Sequence, residues 1–221
     1  ETKHGVVVQD TAWEGYEEIP AWIMQGYGTM ASESADQLRQ MGINRPTHVF
    51  VQAGVGSLAG AVIGYYANLF PNDPPKFIVM EAQAADCLYR GALAGDGAPR
   101  MVDGDLTTIM AGLACGEPNT ISWDILRNHV SAFVSCPDWV SARGMRMLGV
   151  PVKGDPTVIS GESGAVGMGL LAAIMETDEY KDLRDHLGLD RFSQVLLFST
   201  EGNTDPMKFR KVLWDGEYPT V

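Results

Sequence analysis

Residues 54–60 read GVGSLAG and directly follow the apolar run THVFVQA (47–53). A glycine turn that leaves a strand and opens a helix presents backbone N–H groups able to cradle a phosphate. Two further stretches offer complementary groups. GESGAVG (161–167) carries Glu162 and Ser163 into a second glycine-rich helix start, and STEGNTD (199–205) brings Ser199 and Thr200 to the end of a last strand. Asp10 closes the β-branched run VVVQ (6–9), which places a carboxylate at a strand's C-terminal end. Carboxylates, hydroxyls and N–H donors gathered at strand ends suit a planar heterocycle bearing one phosphate. A dinucleotide is the rival ligand. Gly54, Gly56 and Gly60 give G-x-G-x-x-x-G, and Glu81 ends the next strand, where a ribose-binding carboxylate would stand. No Gly-Lys pair followed by Ser or Thr is present in the loop, which excludes a Walker-type triphosphate cradle. Each acid also has a plainer use: Asp10 as a turn or cap residue, Glu162 as an acid at a helix N-terminus.

The elements that must hold these residues follow from hydrophobic spacing. Between Ile19 and Met41, Trp22, Met24, Tyr27, Met30 and Leu38 recur with helical period, and Pro20 suits a first turn. Residues 47–53 read as a buried strand, 57–70 as a helix starting on the glycine loop, 76–82 as the next strand and 84–93 as a helix. Strand–loop–helix–strand order implies a parallel sheet with right-handed crossovers. Residues 95–105, rich in Gly and Asp, read as loop, and TIMAGLACGEP (108–118) has no clear period. Beyond it we expect a helix at 122–129, a strand at 131–137, and a helix at 138–148 capped by Asp138. A glycine-rich entry into a helix over 161–175 and a strand over 191–200 complete the chain. VVVQ reads as a further strand. With no repeat and no linker, this is one α/β lobe built on an open, three-layer parallel sheet.

Composition narrows the partners. Sixteen basic against 28 acidic residues leave a formal net charge of −12, with no basic cluster to neutralise a nucleic acid or an anionic membrane. No apolar stretch approaches the roughly 20 residues that span a bilayer, and no signal-peptide pattern opens the chain. Cys87, Cys115 and Cys136 are odd in number and lack metal-ligand spacing, as expected of reduced thiols in a cytoplasmic protein. No histidine is assigned a catalytic role, and no metal is expected.

VVVQDTAWEGYEEIPAWIMQGY, THVFVQAGVGSLAG, TIMAGLACGEPN, ISGESGAVG and FSTEGNTD together resemble, in order, the C-terminal half of the diaminopropionate ammonia-lyases. Those are pyridoxal-phosphate enzymes of the fold-type II group, which includes tryptophan synthase β chains and serine/threonine dehydratases. VVVQDTAWEGY and AGLACGEPN are specific to the ammonia-lyases, whereas the glycine loop and the Glu-Ser turn are shared more widely. The resemblance covers essentially all 221 residues. It implies that Gly54, Val55, Gly56, Ser57 and Leu58 wrap the phosphate of pyridoxal phosphate. Ser199, or Thr200 beside it, would hydrogen-bond the pyridine nitrogen and leave it largely unprotonated, which suits β-elimination. Glu162 would lie near the ring, and Cys115 and Glu117 in a segment lining its side of the cavity. Asp10 would face the amino groups of an amino-acid substrate, as catalytic acid or base. The implied reaction is α,β-elimination of 2,3-diaminopropionate to pyruvate and ammonia. A serine/threonine dehydratase of the same group is the near alternative, and a non-catalytic dinucleotide-binding module the distant one.

The same resemblance exposes a gap. The family's cofactor-bearing lysine belongs to its N-terminal part, and none of Lys3, Lys76, Lys153, Lys181, Lys208 or Lys211 stands in such a setting. The chain opens without Met, almost directly on an apolar run. We therefore expect residues 1–221 to be the C-terminal part of the cofactor-binding domain, inactive alone. The lysine and the smaller lobe would lie in a missing N-terminal half, and the complete enzyme would be a homodimer.

Overall fold

Four strands, eight α-helices and three short 3-10 turns account for the regular structure of residues 5–220, the part described by this computed structural model. The strands are β1 (His48–Gln52), β2 (Lys76–Ala82), β3 (Val130–Cys136) and β4 (Val195–Leu197), all parallel in the order β3-β2-β1-β4. Every residue of β1 is buried, as expected of a central strand covered on both faces.

The side-chain period of two divides the strand residues between two cores. Val49, Val51, Phe77 and Val79 face one helical layer: α1 (Glu18–Gln40), α2 (Ser57–Leu69), α3 (Cys87–Ala94) and α4 (Thr120–His129). Phe50, Ile78 and Met80 face the other, formed by α5 (Asp138–Gly149), α6 (Val166–Glu176), α7 (Lys181–Leu187) and α8 (Pro206–Leu213). This is the expected three-layer α/β sheet. Right-handed crossovers explain the split: β1→β2→β3 steps one way along the sheet, whereas β3→β4 returns across β1 and must carry its helices over the opposite face. Small residues let α5 and α6 touch backbone to backbone. A Cβ on Gly144 would lie 2.0 Å from the Ala165 carbonyl oxygen.

Three sequence expectations are corrected. VVVQ forms no strand and Val6, Val7 and Val8 are exposed, because among the described residues no strand pairs with them. The segment is held instead by Tyr16, whose hydroxyl donates to the Val7 carbonyl (2.9 Å) and accepts from the Gln9 N–H (3.0 Å). Asp138 does not cap α5. Pro137 holds the cap position, and the Asp138 carboxylate accepts from the Thr108 hydroxyl and the Ile109 N–H (3.2 Å), tying α5 to the 108–113 segment. The last strand is only three residues long, since β4 leaves the sheet after Leu197. Among the described residues no helix is long and apolar enough to cross a membrane.

Candidate active site

Strand order reverses between β1 and β4, and in open parallel sheets the crevice beyond such a switch point is where ligands bind. A cavity of about 280 Å³ lies there. β1 delivers Gln52 and Ala53 to its wall, the following loop Gly54 to Leu58, the segment after β4 Thr200 and Glu201, and the second glycine turn Ser163. Asp10 and Tyr27 line it as well, and Gly112, Leu113 and Cys115 close over the glycine loop. A larger hollow of about 370 Å³ lies on the outer face by Trp123, Arg127 and Phe133, and it contains no carboxylate and none of the glycine-loop residues.

The loop is built to keep N–H groups free. Gly56 precedes α2 with φ of +98°, a left-handed conformation that costs glycine little. A Cβ at this position would meet Ser122 Oγ at 2.8 Å and Leu126 Cδ1 at 3.2 Å. The N–H groups of Gly56, Ser57 and Leu58 have no protein acceptor among the described residues. They point from the positive end of the α2 dipole, an arrangement suited to a phosphate. The Ser57 hydroxyl is spent otherwise: it donates to the Asp10 carbonyl (2.7 Å) and accepts from Asn119 Nδ2 (2.8 Å). Asn119, fully buried, also donates to the Asp10 carbonyl (2.6 Å), while its side-chain oxygen caps α4 at Ile121 and Ser122. Asn119 thus joins Asp10, the glycine loop and α4 in one network. The asparagine preceding a helix in EPNT was a capping signal in the sequence, although its second partner was not.

Of the residues picked out in the sequence, Asp10, Gly54, Val55, Gly56, Ser57, Leu58 and Thr200 share this cavity. Ser199 does not line it; its hydroxyl bonds Ser160 Oγ at 2.8 Å. Glu162 lies just behind the wall, buried, with Oε1 lacking any hydrogen-bond partner among the described residues. Burial, with the Glu201 charge nearby, pushes its carboxyl above the ordinary range. It does not cap α6, whose cap position is Ala165. Glu201 occupies the second glycine turn instead, its carboxylate accepting the Ser163 N–H and the Gly164 N–H (3.3 Å). Cys115 lines the cavity with its thiol pushed up by burial and then by Asp10, whereas Glu117 is exposed and outside the lining. Burial, reinforced by Asp10, likewise raises Tyr27, so that its hydroxyl stays protonated beside the carboxylate. None of Lys76, Lys153, Lys181, Lys208 and Lys211 is among the lining residues, and Lys3 lies outside the described residues.

The dinucleotide alternative depended on Glu81, and its surroundings oppose that role. Glu81 is fully buried, accepting the Leu88 N–H (2.8 Å) and the Tyr89 N–H (2.6 Å) at the start of α3, so no ribose can reach it.

Residues 9–183 match the sequence profile of the family described as pyridoxal-phosphate dependent enzyme. The chain belongs to that family. It is 52% identical over 217 residues to the diaminopropionate ammonia-lyase of Escherichia coli K12, covering 98% of this chain and 54% of that protein. The corresponding enzyme of Salmonella typhimurium LT2 is 51% identical over the same spans. A crystal structure of the E. coli enzyme with an aminoacrylate–PLP azomethine reaction intermediate superposes with a TM-score of 0.87 at 50% identity, covering 96% of this chain and 53% of that one. The chain therefore spans about half the length of the curated relatives it matches. The cavity fits the family's cofactor. Free N–H groups at the start of α2 are of the kind that takes a phosphate, Thr200 places a hydroxyl on the cavity wall, and Gly54 lets the 112–115 segment close over the loop. A Cβ on Gly54 would come within 3.2 Å of the Gly112 carbonyl oxygen.

Proposed function

We propose that this chain is part of a pyridoxal-phosphate-dependent ammonia-lyase whose full-length form converts 2,3-diaminopropionate and water to pyruvate and two molecules of ammonia. What supports this reading is the convergence on one cavity of an N–H cup, a hydroxyl and a carboxylate, in a chain half identical to enzymes of that name. Bound pyridoxal phosphate supplies the electron sink that makes a substrate α-proton removable. The residues of this chain do the rest of what can be assigned to them. The N–H groups of Gly56, Ser57 and Leu58 bind the phosphate, joined by Gly54 and Val55 as the cup's wall. Thr200, rather than Ser199, donates to the ring nitrogen. Glu162 stands behind the cavity with its carboxyl pushed above the ordinary range by burial. Asp10 binds the substrate's second ammonium or moves a proton, and the neutral Tyr27 hydroxyl beside it helps to orient that carboxylate.

With no described lysine at the cavity, the 221-residue chain alone should release no pyruvate. The complementary N-terminal half would supply the lysine and the smaller lobe, in a cytoplasmic homodimer. The decisive assay measures pyruvate from 2,3-diaminopropionate and from serine with the full-length protein. Preference for the diamine supports the ammonia-lyase. Equal or better turnover of serine would move the assignment to a dehydratase. Asp10→Asn in the full-length protein should lower diamine turnover by about 10²–10⁴-fold while cofactor is retained; unchanged turnover would remove Asp10 from the chemistry.

A further inference from the structure

We propose that Gln52 is a positioning residue whose side-chain amide commits the Thr200 hydroxyl to donate into the cavity; this rests on the reading of that cavity as the cofactor site. Gln52 is the last residue of β1, is 2% exposed, and lines the cavity floor. Its Nε2 lies 2.9 Å from the Phe198 carbonyl oxygen and 2.7 Å from Thr200 Oγ1. A carbonyl oxygen can only accept, which fixes this end of the amide as the nitrogen. An amide nitrogen has two hydrogens, and these two partners use both. Thr200 Oγ1 must therefore accept, and its own hydrogen has no acceptor among the described residues.

The fold explains why this residue can do so. β4 runs beside β1 with Phe50 opposite Leu197, and the ladder ends there. Gln52 stands two residues further on, level with the chain as it leaves the sheet. Its amide replaces the missing ladder bond at Phe198 and reaches on to Thr200. Accepting a hydrogen bond also polarises the hydroxyl, which strengthens it as a donor. A carboxylate in place of the amide would invert the arrangement, since Thr200 would then point its hydrogen back at residue 52. A neutral donor at this site thus favours a ligand atom that accepts without being protonated, such as an unprotonated pyridine nitrogen.

The test compares pyridoxal phosphate with its 1-deaza analogue, in which a C–H replaces the ring nitrogen. Affinities are measured by equilibrium dialysis on the full-length protein, on its Gln52→Leu and Thr200→Val variants and on the double variant. One net hydrogen bond corresponds to about fivefold in affinity. Gln52→Leu should weaken pyridoxal phosphate by that factor, leave the deaza analogue unchanged, and add nothing in the Thr200→Val background. An equal loss for both compounds, or the same loss without Thr200, would show that Gln52 only holds the fold and would overturn the proposal. Should Gln52→Leu not fold, ¹⁵N NMR of ring-labelled cofactor on the unsubstituted full-length protein decides. A hydrogen-bonded, unprotonated nitrogen supports the proposal, and a protonated or unbonded one overturns it. Binding with no preference over the deaza analogue refutes the role of Gln52 and leaves the cofactor site standing. No binding of either compound at millimolar concentration would refute the site itself, and Gln52's role with it.

Discussion

Replacing Glu81 with glutamine should make the chain less stable in acid and more stable near neutrality, and the structure gives the size of both effects. The Glu81 side chain is wholly buried at the end of β2. Two N–H groups, from Leu88 and Tyr89, favour its charged form, but burial acts the other way and wins, pushing the carboxyl from 4.5 to about 8. The folded chain therefore keeps a proton that the unfolded chain loses above about 4.5. Stability from the neutral carboxyl is fully present below that pH and is lost as pH rises through 8. At about 1.36 kcal/mol per unit, the window from 4.5 to 8 is worth on the order of 5 kcal/mol. Glutamine does not titrate, yet its NH₂ cannot accept one of the two N–H groups, a cost of about 1–3 kcal/mol. The two stabilities should cross one to two pH units above 4.5. Urea unfolding of both chains at intervals from pH 5 to 8.5 measures the difference directly. A wild-type advantage that is flat with pH, or that grows as pH rises, would mean the carboxylate is charged in the fold and that burial does not dominate.

Other perturbations probe the loop and its supports. Gly56→Ala should destabilise by roughly 2–5 kcal/mol, combining about 1–2 for a left-handed φ with 1–3 for the Cβ forced against Ser122 and Leu126, as read by urea unfolding. Gly28→Ala is the control: it lies inside α1 with nothing within 4 Å, so it should instead stabilise by about 0.5–1 kcal/mol. Asn119→Ala should cost about 2 kcal/mol, near 1 for the α4 cap and the rest for the lost donors to Asp10 and Ser57. Asn119→Asp keeps the cap oxygens but loses those donors, so a full recovery of stability in that variant would refute the network. Reagents for exposed thiols should leave the native chain's Cys136 unmodified up to about pH 9, because burial pushes that thiol up to about 12; labelling followed by mass spectrometry checks this.

Most of the frame was legible because its signals are local. An apolar run bounded by Gly or Pro, or an apolar residue every three or four positions, carries its own meaning wherever it folds. β2 and the start of α2 lie where period and punctuation put them. The misread elements are those whose character depends on a distant neighbour. Val6 to Val8 have strand-forming side chains, but a strand is half of a pair, and nothing in the sequence says whether a partner edge is within reach. Asp138 stands where a cap would stand, yet the chain passing beside it at Thr108 and Ile109 takes its oxygens.

Glu81 and Gln52 sharpen the same point at the site. Each is a polar residue in the last two positions of a buried apolar strand, and each must find partners because an unpaired polar group there would be costly. That much follows from the sequence alone. Which partner it finds depends on the next segment. After Glu81 the chain passes through a 3-10 turn, Gln83–Ala85, into α3, and the helix's first N–H groups close on the carboxylate. After Gln52 it makes the glycine turn, whose N–H groups at the start of α2 stay free, and the amide is left to reach across to the chain after β4 and to Thr200. A buried strand-end polar residue that takes the first N–H groups of the next helix is thus sealed within the protein. One followed by a glycine loop remains at the edge of a cavity, where its hydrogen bonds can act on a ligand.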